Sequence, residues 1–144
     1  MTKERFWVSD IPIIMIYDDS VEKSKNKGTI LFFHGLTSNK DIQEPDLVEY
    51  AKEGFLVIGI DSWGHGERRH PRFDEYFNIG SPNFQENYIY AIQQSANGIP
   101  DLLDNLNNLK KINIDKIGLI GISMGAIIGY RVLVIEKRIK AAAL

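Results

Sequence analysis

The chain has 144 residues, 44% of them hydrophobic and 25% charged, and 17 Lys and Arg against 19 Asp and Glu leave a net charge of −2. That length fits one domain, residues 1–144, and the charge balance gives no reason to expect nucleic acid or an anionic membrane as partner. The absence of cysteine excludes disulfides and thiol chemistry. With no apolar signal segment and no run near the ~20 residues that cross a bilayer, a cytoplasmic location is expected.

In chain order, Ile11 to Tyr17 reads as a short apolar strand closed by Asp18-Asp19-Ser20, and Lys23 to Lys27 as a charged hairpin loop. Gly28 to His34 is apolar on both faces, as a central parallel strand covered on both sides would be. Gly35 to Asn39 turns the chain, and Pro45 to Glu53 makes a short helix with Leu47, Val48 and Ala51 inward and Gly54 as its stop. Phe55 to Ile60 is the next buried strand, ending at Asp61. From Asn83 to Leu109 apolar residues recur at helical spacing, and Gly98-Ile99-Pro100 predicts a kink or two abutting helices. Asp115 to Ile120 is a further strand. A helix follows, with Ile127, Ile128, Tyr130 and Val132 expected to face the core, and Ile139 to Leu144 begins another strand. Strands alternating with helices specify an α/β fold with a doubly wound, mostly parallel sheet.

Gly121-Ile122-Ser123-Met124-Gly125 falls between a strand and an apolar helix. A serine at such a turn is held in a strained conformation, and glycines at 121 and 125 remove the β-carbons that would collide as the strand reverses. Ser123 is pushed above the sheet, and the helix aims its first amides at the space beside the hydroxyl. This is the geometry of an acyl-transfer nucleophile. In such an architecture one oxyanion donor is the amide after the nucleophile, here Met124. The other comes from the loop after an earlier strand, where Leu36 in Phe33-His34-Gly35-Leu36-Thr37 is the best candidate. On its own, His34-Gly35 reads as a tight turn with a satisfied histidine; the elbow downstream favours the oxyanion role.

Three segments in this order, Phe33 to Ser38, Asp61-Ser62-Trp63-Gly64-His65-Gly66-Glu67 and Gly121 to Gly125, resemble the α/β-hydrolase superfamily over roughly Ile11 to Leu144. The likeness is to small bacterial serine esterases of the prolyl-oligopeptidase and dienelactone-hydrolase branches. It implies Ser123 as nucleophile, the Leu36 and Met124 amides as oxyanion hole, and a carboxylic ester as small-molecule substrate. A peptidase or thioesterase could use the same elbow. No cofactor or metal is implied, because no His/Asp/Glu set has ligand spacing.

The family's order is Ser, then Asp or Glu, then His. After Ser123 there is no histidine, no aspartate and one acid, Glu136, while His34, His65 and His70 all lie upstream. The acid and histidine are therefore expected beyond residue 144, the fold is expected to lack its C-terminal strands, and this chain alone is expected to be inactive. A truncated or non-catalytic member of the fold is the alternative. An open edge at Ala141 to Leu144 would favour self-association. Asp61 and His65 read as loop-shaping residues bonded to local backbone, with Gly64 and Gly66 supplying turns. Gly66 to Asn87, rich in arginine and aromatics, reads either as part of a lid or pocket wall, or as a solvated loop whose aromatics pack on the nearest helix. A nucleotide-binding reading of Gly118, Gly121 and Gly125 fails on spacing.

Overall fold

A computed structural model describes residues 1–144. Six strands form one sheet: β1 (Thr2–Val8), β2 (Ile11–Tyr17), β3 (Thr29–Phe33), β4 (Leu56–Ile60), β5 (Ile117–Gly121) and β6 (Ile139–Ala143). Their spatial order is β1-β2-β4-β3-β5-β6. The pairs β1/β2 and β2/β4 are antiparallel, and β3/β4, β3/β5 and β5/β6 are parallel. The expected doubly wound, mostly parallel α/β sheet is what the chain forms.

The helices are α1 (Val21–Lys27), α2 (Glu44–Lys52), α3 (Phe73–Tyr76), α4 (Phe84–Asn97), α5 (Ile99–Asn108) and α6 (Met124–Ile135). Leu47 and Ala51 of α2 cover one face of the sheet, over Ile14, Ile16, Phe32 and Val57. The other face carries the larger core, where Leu31, Phe33, Ile58 and Leu119 meet Ile92 and Ala96 of α4, Leu102, Leu103 and Leu106 of α5, and Ile128 and Val132 of α6. Strands buried on both faces need an unbroken apolar run, which is why β3 and β4 carry almost no polar residue.

Two sequence expectations change, and one strand is added. The segment read as a hairpin loop at Lys23–Lys27 is the helix α1, capped by Ser20, whose Oγ accepts from Lys23 N at 3.3 Å. Glu22 lies in its first turn and Lys25 and Lys27 in its last, matching the helix dipole at both ends. The amino terminus adds a strand, β1, that pairs along its whole length with β2. Of the four α6 residues expected to face the core, Ile128 and Val132 do, whereas Ile127 is 46% exposed and Tyr130 63%. A helix apolar all round cannot report which side is inward. The break at Gly98 does yield two abutting helices, and a β-carbon there would lie 2.9 Å from Ile11 Cδ1.

Register then positions the site. Phe33 lies opposite Ile60 on one side and Gly121 on the other. The loops leaving β3, β4 and β5 therefore emerge side by side at the carboxyl end of the sheet. Between β3 and β5 the chain changes direction across the sheet, which is where α/β sheets open a crevice.

Candidate functional site

Ser123 sits between β5 and α6 with φ 55° and ψ −115°. A non-glycine residue in this region carries strain on the order of 1–3 kcal/mol, which persists only where the surroundings enforce it. Enforcement comes from close backbone packing. A β-carbon on Gly121 would fall on the Gly125 carbonyl, 2.7 Å from Ala126 N, and one on Gly125 would fall on the Phe33 carbonyl, 2.8 Å from His34 O. Ile122 N donates to Phe33 O at 3.1 Å, and Ala126 N donates to Ser123 O at 2.9 Å. Ser123 itself is exposed, in the turn between β5 and α6.

The loop after β3 passes directly beside it. A β-carbon on Gly35 would lie 3.6 Å from Ser123 Cβ and 3.5 Å from Ile122 O. Neither the Leu36 nor the Met124 amide donates to any group of the protein, although Met124 is fully buried. The structure thus brings Ser123, the Gly35–Leu36 segment and the start of α6 together, as the sequence had suggested.

His34 holds that loop from below. Its Nδ1 lies 2.8 Å from Gly35 O, and its Nε2 accepts from Ser62 N at 3.0 Å. Because Nε2 must accept, Nδ1 carries the proton and donates to Gly35 O. Burial keeps the imidazole neutral by pushing its pKa below the usual histidine value, against the hydrogen bond to Gly35. Gly35 C=O and Leu36 N–H belong to one trans peptide plane, so fixing the carbonyl aims the amide the opposite way. The satisfied histidine and the amide without a protein acceptor are two sides of one arrangement.

The Asp61–Glu67 loop is built as expected, with one addition. Asp61, fully buried, accepts from Lys40 N at 2.9 Å and from Glu67 N at 2.9 Å. It also pairs with Lys40 Nζ at 3.0 Å, and the Lys40 side chain is wholly buried. Nothing around Asn39-Lys40-Asp41 in the sequence marked this lysine as internal. Gly66 takes φ 58°, and a β-carbon there would overlap the Asp61 carboxylate.

Each histidine is engaged elsewhere. His65 Nδ1 bonds Trp63 O at 3.0 Å and its ring packs between Phe73 and Phe77 at 4.9 and 4.7 Å. Burial brings its pKa down to about 4. Its Nε2 and the Ser62 hydroxyl are buried without partners. His70 accepts from Arg72 N at 3.0 Å and stacks on Tyr76. Of the two readings for the segment after Gly66, aromatics on the nearest helix describes Phe73 and Phe77, which are buried against Ala91 of α4. No group of three or more His, Asp or Glu side chains converges to hold a metal ion, and no helix is long and apolar enough to cross a membrane.

Known proteins share this fold. The chain is 27% identical over 136 residues to YtaP of Bacillus subtilis (strain 168), a protein that bears the name of a hydrolase; the match covers 83% of this chain and 44% of YtaP. Among solved structures it superposes on TT1662 from Thermus thermophilus with a TM-score of 0.79 at 22% identity, covering 98% of this chain and 54% of that one. A cold-adapted esterase from an Arctic intertidal metagenomic library gives a TM-score of 0.67 at 22% identity, covering 97% of this chain and 57% of the esterase. A laboratory-evolved variant of potato epoxide hydrolase gives 0.69 at 18% identity, covering 99% of this chain and 39% of the variant. The chain therefore spans about half the length of these proteins. The family model described as alpha/beta hydrolase fold matches residues 28–144, most of the chain from just before β3 through β6, and the chain belongs to that family.

Proposed function

We propose that this chain carries the nucleophile and oxyanion hole of a serine hydrolase acting on carboxylic esters. The observation that carries the reading is the exposed Ser123 at φ 55° and ψ −115°, beside Gly35 and at the start of α6, with the Leu36 and Met124 amides free of protein acceptors. In the reaction, Ser123 Oγ attacks the ester carbonyl carbon and its proton passes to a base. The carbonyl oxygen becomes an oxyanion held by Leu36 N–H and Met124 N–H. Collapse expels the alcohol and leaves an acyl-serine, which water hydrolyses by the same steps. One oxyanion donor contributes about 3–4 kcal/mol to the transition state.

With all three histidines bonded away from Ser123, the reading assigns the base and its orienting acid to positions outside residues 1–144. The name of the Arctic esterase supports ester cleavage; a peptidase or thioesterase would use the same atoms with a different leaving group. The test is covalent labelling of the full-length protein with a fluorophosphonate, read by intact mass and peptide mapping. Label on Ser123, lost in Ser123→Ala without loss of fold, is the expected result. Label persisting in the alanine variant overturns it. The 144-residue polypeptide alone is expected to be nearly inert toward p-nitrophenyl acetate, because serine hydrolases without their triad keep only ~10³–10⁴-fold enhancement over water.

A further inference from the structure

Lys40 is the one lysine whose side chain is wholly buried, and it meets three carboxylates. Its Nζ lies 3.0 Å from Asp61 Oδ2 and 3.1 Å from Asp41 Oδ2, and it also donates to Glu67 Oε1. Its backbone amide donates to the other oxygen of Asp61 at 2.9 Å. Asp61 closes β4, and Arg68 Nε donates to its carbonyl at 3.0 Å. The loop carrying Leu36 therefore has two anchors in the β4 loop: the His34 ring on Ser62 at its start, and both ends of Lys40 on Asp61 at its finish. Between them Thr37 turns through φ 65°, and Ser38 N returns to Gly35 O at 3.2 Å.

We propose that Lys40 is a positioning residue for the Leu36 amide: its buried ion pair with Asp61 latches the far end of the loop and holds the Gly35–Leu36 peptide at the distance from Ser123 that an oxyanion requires. The inference rests on the reading of Leu36 as an oxyanion donor. Its physical ground is that a buried ion pair contributes little net stability, since desolvation cancels most of the attraction, whereas its directional bonds select one geometry. Neither end of the latch can shift freely. Asp61 sits at the end of a paired strand under Gly66, and Lys40 Cβ lies 3.3 Å from where a β-carbon on Gly59 would be. Glu67, 44% exposed, and Asp41, 43% exposed, close the cage from the solvent side, and Arg5 pairs with Asp41 at 3.0 Å.

The experiment compares wild type, Lys40→Met, Lys40→Arg and Glu67→Gln in the full-length protein. Amide hydrogen exchange over residues 34–43 is measured first. Fluorophosphonate labelling of Ser123 follows, resolved into a binding constant and a maximal inactivation rate. Loss of a well-aimed oxyanion donor acts on the rate rather than on binding, so Lys40→Met is expected to lower the maximal rate about tenfold at an unchanged binding constant. Exchange over residues 34–43 should rise about tenfold while the rest of the sheet stays protected. Lys40→Arg, which keeps the charge and the donors, should recover most of both. A folded Lys40→Met with wild-type rate and wild-type exchange overturns the proposal. So does a loss confined to the binding constant. Should Lys40→Met fail to fold, Glu67→Gln decides: about threefold slower labelling is expected, and no change refutes the latch. If wild-type Ser123 takes no label, the nucleophile reading fails by itself, and the exchange data alone decide whether Lys40 holds the loop.

Discussion

Phe33 and Gly125 touch through backbone alone: a β-carbon on Gly125 would fall on the Phe33 carbonyl, 2.6 Å from its carbon, and that same oxygen accepts from Ile122 N at 3.1 Å. The end of β3 and the turn after β5 are thereby one unit, which brings the Leu36 loop beside Ser123. Gly125→Ala must displace one backbone segment or the other. The expected cost is about 1–3 kcal/mol, as for other overpacked interiors. Urea unfolding measures it, and an unchanged midpoint would mean that the two segments are not held in this contact.

The strain at Ser123 gives a prediction of opposite sign. Glycine adopts φ 55°, ψ −115° without a β-carbon clash, so Ser123→Gly releases part of the strain while paying glycine's greater unfolded-state entropy. The net expectation is a gain on the order of 1 kcal/mol in urea unfolding. Ser123→Ala retains the β-carbon and should show no such gain. Equal stability of the two variants would place the turn outside the strained region.

His65 makes stability depend on pH in a stated direction. Burial depresses its pKa from 6.5 to about 4, against the hydrogen bond to Trp63, while the facing charges of Asp61 and Arg69 act in opposite senses. The unfolded chain therefore binds a proton at His65 that the folded chain refuses between pH 6.5 and about 4. Stability is present above that window and is lost as the pH falls through it, by an amount on the order of 3 kcal/mol. His34, also depressed by burial, adds in the same direction. His65→Asn keeps a donor for Trp63 O and cannot titrate, so melting temperature should fall less steeply between pH 6.5 and 4 than in wild type. Parallel profiles would assign the acid sensitivity to other groups.

β6 pairs on one side only, with β5, and Ala141, Ala142 and Ala143 are exposed. An unpaired strand edge of small apolar residues favours edge-to-edge association. The 144-residue polypeptide is expected to scatter light as more than a monomer, and paired lysines at Ala141 and Ala143 should lower its apparent mass toward monomer. A monomer at all concentrations before any substitution removes the self-association.

The sheet and the strained turn at Ser123 were legible because their determinants are local. β3, β4 and β5 are apolar on both faces, which only a strand between two helical layers tolerates. The glycines at 121 and 125 are spaced to clear one turn, and Pro100 after Gly98 marks a helix boundary. The helix α1 was legible in principle through the Ser20 cap and the placement of Glu22, Lys25 and Lys27; its polar composition hid it, since a short surface helix has almost no apolar stripe to show.

The sequence by itself determined the layer architecture and the turn that carries Ser123, because strand periodicity, glycine placement and turn chemistry act within a few residues. Only the tertiary structure decided what surrounds them. Lys40 and Asp61 are 21 positions apart, and His34 and Ser62 are 28 apart. Their meeting depends on the register that sets Phe33 opposite both Ile60 and Gly121. The inward side of α6 was also decided there: Ile127 and Ile128 are equally apolar, and only the direction of the helix across the sheet buries one and exposes the other. A long-range ion pair or a buried face follows from which strands pair, and pairing is a property of the whole sheet rather than of any window of the chain.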